Sequence, residues 1–380
     1  MRIVVIGRDF PSVDNRMLGS FEYEQAKLLA KHGHEVYYPY VDLRSLRHWR
    51  RWGTVITNRD GVIVVAINLP IGLALPAKCR AKLYTLLRKR LLNRIINRFG
   101  IPDIVSVHYP SIYPYDFFSF MQEKGSKIVG LEHWSKVQNR DLPEVNLQNL
   151  KDFVHNADAL LCVSEALKES IIQLTGTSQD IVVIPNIVSS CFECKNIKKS
   201  IDSFHFLVVG RLSPEKGYDK LVCAFNKAFN NIDNIKLHIV GGGIMYDEIH
   251  KTIKELKADK TIVLHGVLDQ NELANLYRNC NVLIMPSEYE TFGVPAAEAM
   301  SCGLPVIVTR NTGIAYYITD KCGIIIENND IDLISKALIK IYNDISNYNS
   351  VFISEYAKNR FSESVIYHKI MTVFDKCIKD

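Results

Sequence analysis

The 380-residue sequence has no apolar run near the ~18–20 residues that a bilayer-crossing helix needs. Its longest candidates, residues 62–75 and 3–6, fall well short. The opening MRIVVIG stops at Arg8 and Asp9, too short for the apolar core of a secretory signal, so the expected localisation is cytoplasmic. Nine cysteines are odd in number and scattered, which excludes a disulfide framework. Cys191 and Cys194 have CxxC spacing, but no second ligand pair accompanies them, and zinc needs four ligands. No metal and no cofactor are expected. Helix-turn-helix, RNA-recognition and zinc-finger signatures are missing too, so nucleic acid is not an expected partner.

Acidic residues are scarce in one place. Residues 1–187 hold 24 Lys and Arg against 18 Asp and Glu, whereas residues 188–380 hold 22 against 23. Between Asp42 and Asp103 the only acid is Asp60, while Arg44, Arg47, Arg50, Arg51 and Arg59 lead into a second basic run at 78–98. Something anionic is expected to approach this surface. Within 78–98, Leu83, Leu86, Leu87, Leu91, Ile95 and Ile96 share a broad helical face. That pattern suits a helix lying on an anionic membrane surface, and equally a core-facing helix with a solvated basic side.

What is present is alternation. RIVVIG, FEYEQAKLLAKHG, HEVYYPY, PDIVSVHY, SKIVGLEH, ADALLCVS and DIVVIPN set short strands against helical patterns, and after a polar stretch at 191–203 the alternation restarts with FHFLVVG and runs to LPVIVT. Strands alternating with helices predict parallel sheets covered on both faces. The expected fold class is α/β, with two Rossmann-like, doubly wound domains facing a deep cleft. The boundaries are 1–190, plus about 358–380 for a C-terminal helix crossing back, and 200–357. Chemistry is expected at the carboxyl ends of the strands, where loops lead into helix N-termini.

The segment MPSEYETFGVPAAEAMSCGLPV at 285–306 has the clearest local grammar. Pro286 ends a strand, Pro295 suits a first helical turn, Gly303 suits the residue just past the helix, and Pro305 precedes the next strand. Amides of Thr291, Phe292, Gly293 and Val294 then point from a helix N-terminus, an anion site. Glu290 and Glu298 beside it make sense as acceptors from sugar or ribose hydroxyls; an ordinary cap and a solvated glutamate is the plainer reading. In GRLSPEKG, Gly210 permits close backbone approach, while Arg211 and Lys216 suit a diphosphate. The GxxxxGK[ST] pattern is not met, and solvated cations on a turn are the alternative. The cluster Gly241–Gly243 reads as structural. In the first half, Gly19 and Ser20 precede a helix and His133 follows the strand KIVGLE. Asp9 with Asp14 suggests a metal-binding pair, whereas Asp330 and Asp332 sit where a helix cap belongs.

Taken in order, GRLSPEKG, LHGVLDQNELANLYRNCNVLIMPS and EYETFGVPAAEAMSCGLPV resemble the donor-binding half of glycosyltransferase family 4, retaining enzymes of GT-B fold. MLGSFEYEQAKLLAKHGHEV, LEHWS, CVSEALK and IPNIV fit its N-terminal half. The resemblance implies that Glu290 and Glu298 form the Glu-x7-Glu pair, the first near the donor sugar hydroxyls and the second on the ribose. Arg211 and Lys216 neutralise the leaving diphosphate, and Thr291 to Val294 supply backbone around sugar and phosphate. Val267 meets the nucleobase, Gly19 lies near the phosphates with Ser20 beside it, and His133 lies near the anomeric carbon. The sequence departs from the family where PNGVD reads PNIVS and where the first loop's double glycine reads Gly19-Ser20. The implied activity is metal-independent sugar transfer from a UDP- or GDP-sugar to a glycan or lipid-linked acceptor, in cell-surface polysaccharide synthesis at the inner membrane face. A non-hydrolysing nucleotide-sugar epimerase and a silent binding subunit are the alternatives.

Overall fold

The computed structural model describes residues 1–11, 19–45, 50–71, 75–195, 203–230 and 232–379, with backbone alone at 20, 77, 78 and 81. Asp14, Arg47 and residues 196–202 of the polar stretch lie outside the described residues. The chain divides into two compact units, one of residues 1–163, 167–187 and 367–380, the other of 164–166 and 188–366.

The first unit runs β1 (Arg2–Ile6), α1 (Ser20–Lys31), β2 (Glu35–Asp42), β3 (Gly53–Arg59), β4 (Val62–Asn68), α2 (Ala77–Phe99), β5 (Ile104–His108), α3 (Asp116–Gln122), β6 (Lys127–Glu132), α4 (Ser135–Gln138), α5 (Glu144–Asn156), β7 (Ala159–Cys162), α6 (Glu165–Thr175) and β8 (Ile181–Val183). Its sheet has the order β3-β4-β2-β1-β5-β6-β7-β8. All pairings are parallel except β3 with β4. The central strand β1 is apolar from Ile3 to Ile6, each at most 1% exposed, as a sheet covered on both faces requires. The expectation of an all-parallel alternation is corrected at this edge. Asp60 and Gly61 take φ of 54° and 82°, the two left-handed residues of a tight hairpin turn, and they fold β3 back along β4.

Helix α2 presses its apolar stripe inward. Leu91, Leu92 and Ile95 are fully buried, while only Leu86 of the broad face is widely exposed, at 65%. Of the two readings of this basic helix, the core-facing one describes its apolar side. Arg88 is itself buried, donating from Nη2 to the carbonyls of Gly7 and Arg8 at 3.0 and 2.9 Å.

The second unit runs β9 (Phe204–Val209), α7 (Tyr218–Phe229), β10 (Ile235–Val240), α8 (Tyr246–Glu255), β11 (Ile262–Gly266), α9 (Gln270–Asn279), β12 (Val282–Met285), α10 (Val294–Ser301), β13 (Val306–Thr309), β14 (Gly323–Ile326), α11 (Ile331–Asn343) and α12 (Ser350–Phe361). α13 (Glu363–Lys379) passes from this unit into the first. The sheet is wholly parallel, ordered β11-β10-β9-β12-β13-β14. One core joins Phe206 and Val208 of β9 to Leu221, Val222, Phe225 and Phe229 of α7, each such side chain contributing roughly 1.5–3 kcal/mol on burial.

Both sheets reverse their winding beside a central strand. β1 lies between β2 and β5, and β9 between β10 and β12. At such a switch point the loops leaving the carboxyl ends diverge and open a crevice.

Candidate functional site

In the second unit, the loop after β9 carries Gly210, Arg211 and Lys216, and the loop after β12 carries Glu290 to Gly293 and opens α10. These loops flank the switch point and are bonded together. The Glu288 amide donates to the Glu215 carbonyl at 2.8 Å. The Lys216 ammonium pairs with the Glu290 carboxylate, their side chains being only 16% and 21% exposed. Gly217, at φ 67°, caps α7 so close to Pro286 that a Cβ would stand 2.5 Å from the Pro286 carbonyl oxygen. Lys216 is thus held beside the helix N-terminus, while Arg211 stays 67% exposed, 3.7 Å from Glu215.

Gly293 opens α10 at φ 107°, and Pro295 lies in the first turn. No side chain caps this end; Pro295 has no amide proton and the Ala296 amide bonds back to the Gly293 carbonyl at 3.1 Å, and a helix N-terminus of this kind favours an anion. The Phe292 ring is buried against Tyr317 and Phe361, leaving its backbone to act; Thr291 and Val294 flank it. The helix ends as the sequence predicts. Gly303 has φ 84°, and the amides of Gly303 and Leu304 return to the carbonyls of Met300 and Ala299 at 2.9 Å each, the paired closure typical of a left-handed cap. Asp330 caps α11 by accepting from the Asp332 and Leu333 amides, as expected of it.

Glu298 lies along α10, where its Oε2 accepts from the Tyr277 hydroxyl at 3.0 Å. Burial pushes its carboxyl up to about 7, against the lowering effect of that hydrogen bond. Tyr277 was not among the predicted site residues; it belongs to α9, 21 residues away in sequence, and no local pattern marks it. Gly241 and Gly243 are structural, as predicted, because a Cβ on either would meet the backbone oxygen of Gly210 or Leu212 at 1.8 or 2.3 Å. Val267 follows β11, 75% exposed, and Gly242 faces it.

The remaining predicted residues lie at the carboxyl edge of the first sheet. Gly19 precedes α1 at φ 76°, and a Cβ there would stand 2.3 Å from the Asp9 carbonyl oxygen. Ser20 begins α1. His133 follows β6 and is 7% exposed. Its Nε2 lies 3.0 Å from His108 Nδ1, its Nδ1 has no hydrogen-bond partner, and burial, then the neighbouring His108 and Arg8, hold its pKa well below the ordinary value. Among the described residues no three His, Cys, Asp or Glu side chains are grouped as a metal ion would require, and no helix is long and apolar enough to cross a membrane.

Two α/β units, each with loops gathered at a switch point, match solved structures of GT-B glycosyltransferase fold. The sucrose-phosphate synthase of Thermosynechococcus elongatus superposes with a TM-score of 0.81 at 18% identity, covering 99% of this chain and 98% of that one. Anabaena HepE, solved with UDP and glucose, superposes with a TM-score of 0.71 at 16% identity, covering 99% and 100%. Residues 193–360 match the model for glycosyl transferases group 1, and residues 19–190 match that for glycosyltransferase family 4. The chain belongs to this family of glycosyltransferases. The GPI3 subunit of the Saccharomyces cerevisiae phosphatidylinositol N-acetylglucosaminyltransferase is 28% identical over 264 residues, 67% of this chain and 58% of that protein. The chain spans about half the length of the curated relatives it matches, from 43% to 58% for the more similar ones.

Proposed function

We propose that the protein transfers a sugar, with retention and without a metal, from a nucleoside diphosphate sugar to a glycan or lipid-linked acceptor in cell-surface polysaccharide synthesis. The observation that carries this reading is the Lys216–Glu290 pair beside the open N-terminus of α10. Cleaving a sugar–phosphate bond builds negative charge on the departing diphosphate and an oxocarbenium-like sugar. A half-buried ammonium, the Arg211 guanidinium and the helix N-terminus stabilise the first, and a carboxylate binds the hydroxyls of the second. Glu298 takes the ribose, Val267 the base, and Gly19 and His133 the phosphates and sugar. HepE with UDP supports a UDP-sugar as the first donor to try, with a GDP-sugar second.

The acceptor is assigned to the first unit. A subunit that acts on phosphatidylinositol among the relatives favours a lipid-linked acceptor, and the exposed basic side of α2, with Lys89, Arg90, Arg94 and Arg98, would meet the anionic surface electrostatically. The apolar stripe of that helix is already occupied by the core, so no insertion is invoked.

The test is a panel of UDP-, GDP-, ADP- and CMP-sugars, with EDTA present, read by thermal shift and release of the free nucleotide. Stabilisation and nucleotide release with one donor, weakened in Glu298→Ala, are expected. Absence of binding across the panel would return the silent-subunit reading. Conversion of the donor sugar to its epimer, without an acceptor, would favour the epimerase.

A further inference from the structure

His133 ends a relay of neutral side chains that leads into the core of the first unit. Gln25, on α1 and 3% exposed, turns its carboxamide oxygen toward two donors. Oε1 lies 2.5 Å from His108 Nε2 and 3.3 Å from the Ser106 hydroxyl. An oxygen only accepts, so His108 carries its proton on Nε2. A neutral imidazole has one N–H and one lone pair, which leaves His108 Nδ1 as an acceptor. His133 Nε2, 3.0 Å from that nitrogen, must then donate. The remaining His133 Nδ1 is a bare lone pair, buried and unpartnered. The rings of His108 and His133 lie nearly parallel, at an angle of 9°, and share the plane in which such bonds form.

The neutrality of both rings follows from their surroundings. Burial takes His108 down to about 4, with Arg8 acting in the same sense and Glu22 against it. Arg8 is itself fixed, its guanidinium 3.6 Å over the Tyr109 ring and its Nε 3.2 Å from Glu22. A second proton on His133 would stand opposite this cation. Glu132, buried at the end of β6, fixes the backbone on which His133 is mounted by accepting from the amides of His133 and Trp134 at 2.9 Å each.

We infer that Gln25 and His108 are positioning residues that lock His133 in the Nε2–H tautomer, so that its Nδ1 accepts a hydrogen bond from a substrate hydroxyl. The lock itself is a property of the protein without substrate; its effect on turnover rests on the sugar-transfer reading above. A buried acceptor with no partner leaves a hydrogen bond to be made, and a hydroxyl makes it where a carboxylate or carbonyl cannot.

The experiment labels the histidines of the full chain with ¹⁵N and reads the ring nitrogens by long-range ¹H–¹⁵N correlation, His133 being assigned by its loss in His133→Asn. The expected result without substrate is a protonated Nε2 and a bare Nδ1 on His133. His108→Leu should give mixed tautomers at His133. His108→Asn, whose amide oxygen stands near the place of Nδ1, should restore the Nε2–H form. Gln25→Met, which frees His108 to turn its tautomer over, should weaken the lock with the β5 strand untouched. With a donor in hand, kcat should fall on the order of 10–100-fold in His108→Leu and Gln25→Met and recover in His108→Asn, while donor KM moves by less than about 3-fold. A proton on His133 Nδ1 in the unmodified protein, or an unchanged tautomer in both His108→Leu and Gln25→Met, overturns the lock. Mixed tautomers with unchanged kcat overturn its role in turnover. Failure of every donor with the tautomer as described defeats the transferase reading and leaves the lock standing.

Discussion

Lys216 and Glu290, 74 residues apart, form one ion pair that ties the loop after β9 to the loop after β12. Neither side chain is in bulk water, so the pair is shielded from solvent, and removing Lys216 or Glu290 takes away the opposite charge that faces the other. Arg211 is in a different position. It is largely exposed and its contact with Glu215 is long, so it can turn toward a ligand without leaving a buried partner behind.

The two cations are therefore expected to fail differently on substitution. Arg211→Ala should leave the melting temperature unchanged and weaken nucleoside diphosphate binding. Lys216→Ala should lower both, with kcat reduced on the order of 10²–10³-fold, as for removal of one fixed donor to a developing anion. The double variant Arg211→Ala, Lys216→Ala should abolish turnover while circular dichroism still shows the α/β fold. Titration calorimetry with UDP and a melting curve separate the effects. Wild-type turnover in the double variant would remove the diphosphate role from both residues.

Glu298 gives a pH dependence whose sign is fixed. Its folded-state pKa, about 7, lies above the ordinary 4.5, so the folded protein binds the proton more tightly than the unfolded chain. Stability from this group is full below pH 4.5 and is lost as the pH rises to about 7. Glu298→Gln keeps an acceptor for the Tyr277 hydroxyl and cannot ionise. Its stability relative to the unmodified protein should therefore improve between pH 4.5 and pH 7, measured by denaturant titration at each end. A difference that is constant across that interval would place the carboxyl at its ordinary value.

Legibility followed the range of the interaction. The grammar of 285–306 was readable because caps and strand ends depend on neighbours: Pro286, Gly293, Pro295 and Gly303 occupy the places their backbone preferences require. The β3–β4 hairpin is equally local, with Asp60-Gly61 between two β-rich runs as its signal. The short β14 follows a 3₁₀ turn at Gly313–Tyr317. The Lys216–Glu290 pair, the Tyr277–Glu298 bond and the Gln25–His108–His133 relay are long-range contacts. Residue type and spacing do not encode them. For α2 the apolar stripe was visible, but an amphipathic pattern states that a face is covered without saying by what.

The triple glycine allows packing and ligand space to be separated. Gly241 has φ 143° and would place a Cβ 1.8 Å from the Gly210 oxygen, where neither backbone can retreat without breaking the β9–β10 register. Gly241→Ala should cost more than about 3 kcal/mol. Gly242 meets only the Val267 side chain, at 3.1 Å, and Val267 is exposed enough to turn aside. Gly242→Ala should cost less than about 1 kcal/mol and yet weaken nucleotide binding if the base lies against Val267. Equal melting temperatures for the two variants would mean that the loop after β10 is not held by the Gly210 carbonyl.

Three histidines on neighbouring strands of the second sheet supply the last expectation. His205 Nδ1 lies 2.8 Å from His238 Nε2, and His238 Nδ1 lies 2.8 Å from His265 Nε2, with the Ser203 hydroxyl 2.8 Å from the outer nitrogen of His205. Each contact between rings needs one N–H and one lone pair, and three neutral rings supply them by each passing one proton in the same direction along the row. Burial, then His205, His265 and Lys236, lower His238 to about 4 from 6.5. A histidine with a depressed folded-state pKa binds fewer protons folded than unfolded, so its contribution is full above pH 6.5 and is lost as the pH falls toward 4. The second unit should accordingly lose stability through this interval, and His238→Gln, which cannot take up the proton, should show a shallower loss. The check is the slope of melting temperature against pH for both proteins over that interval. Parallel slopes would mean that His238 titrates in the folded protein at its ordinary value.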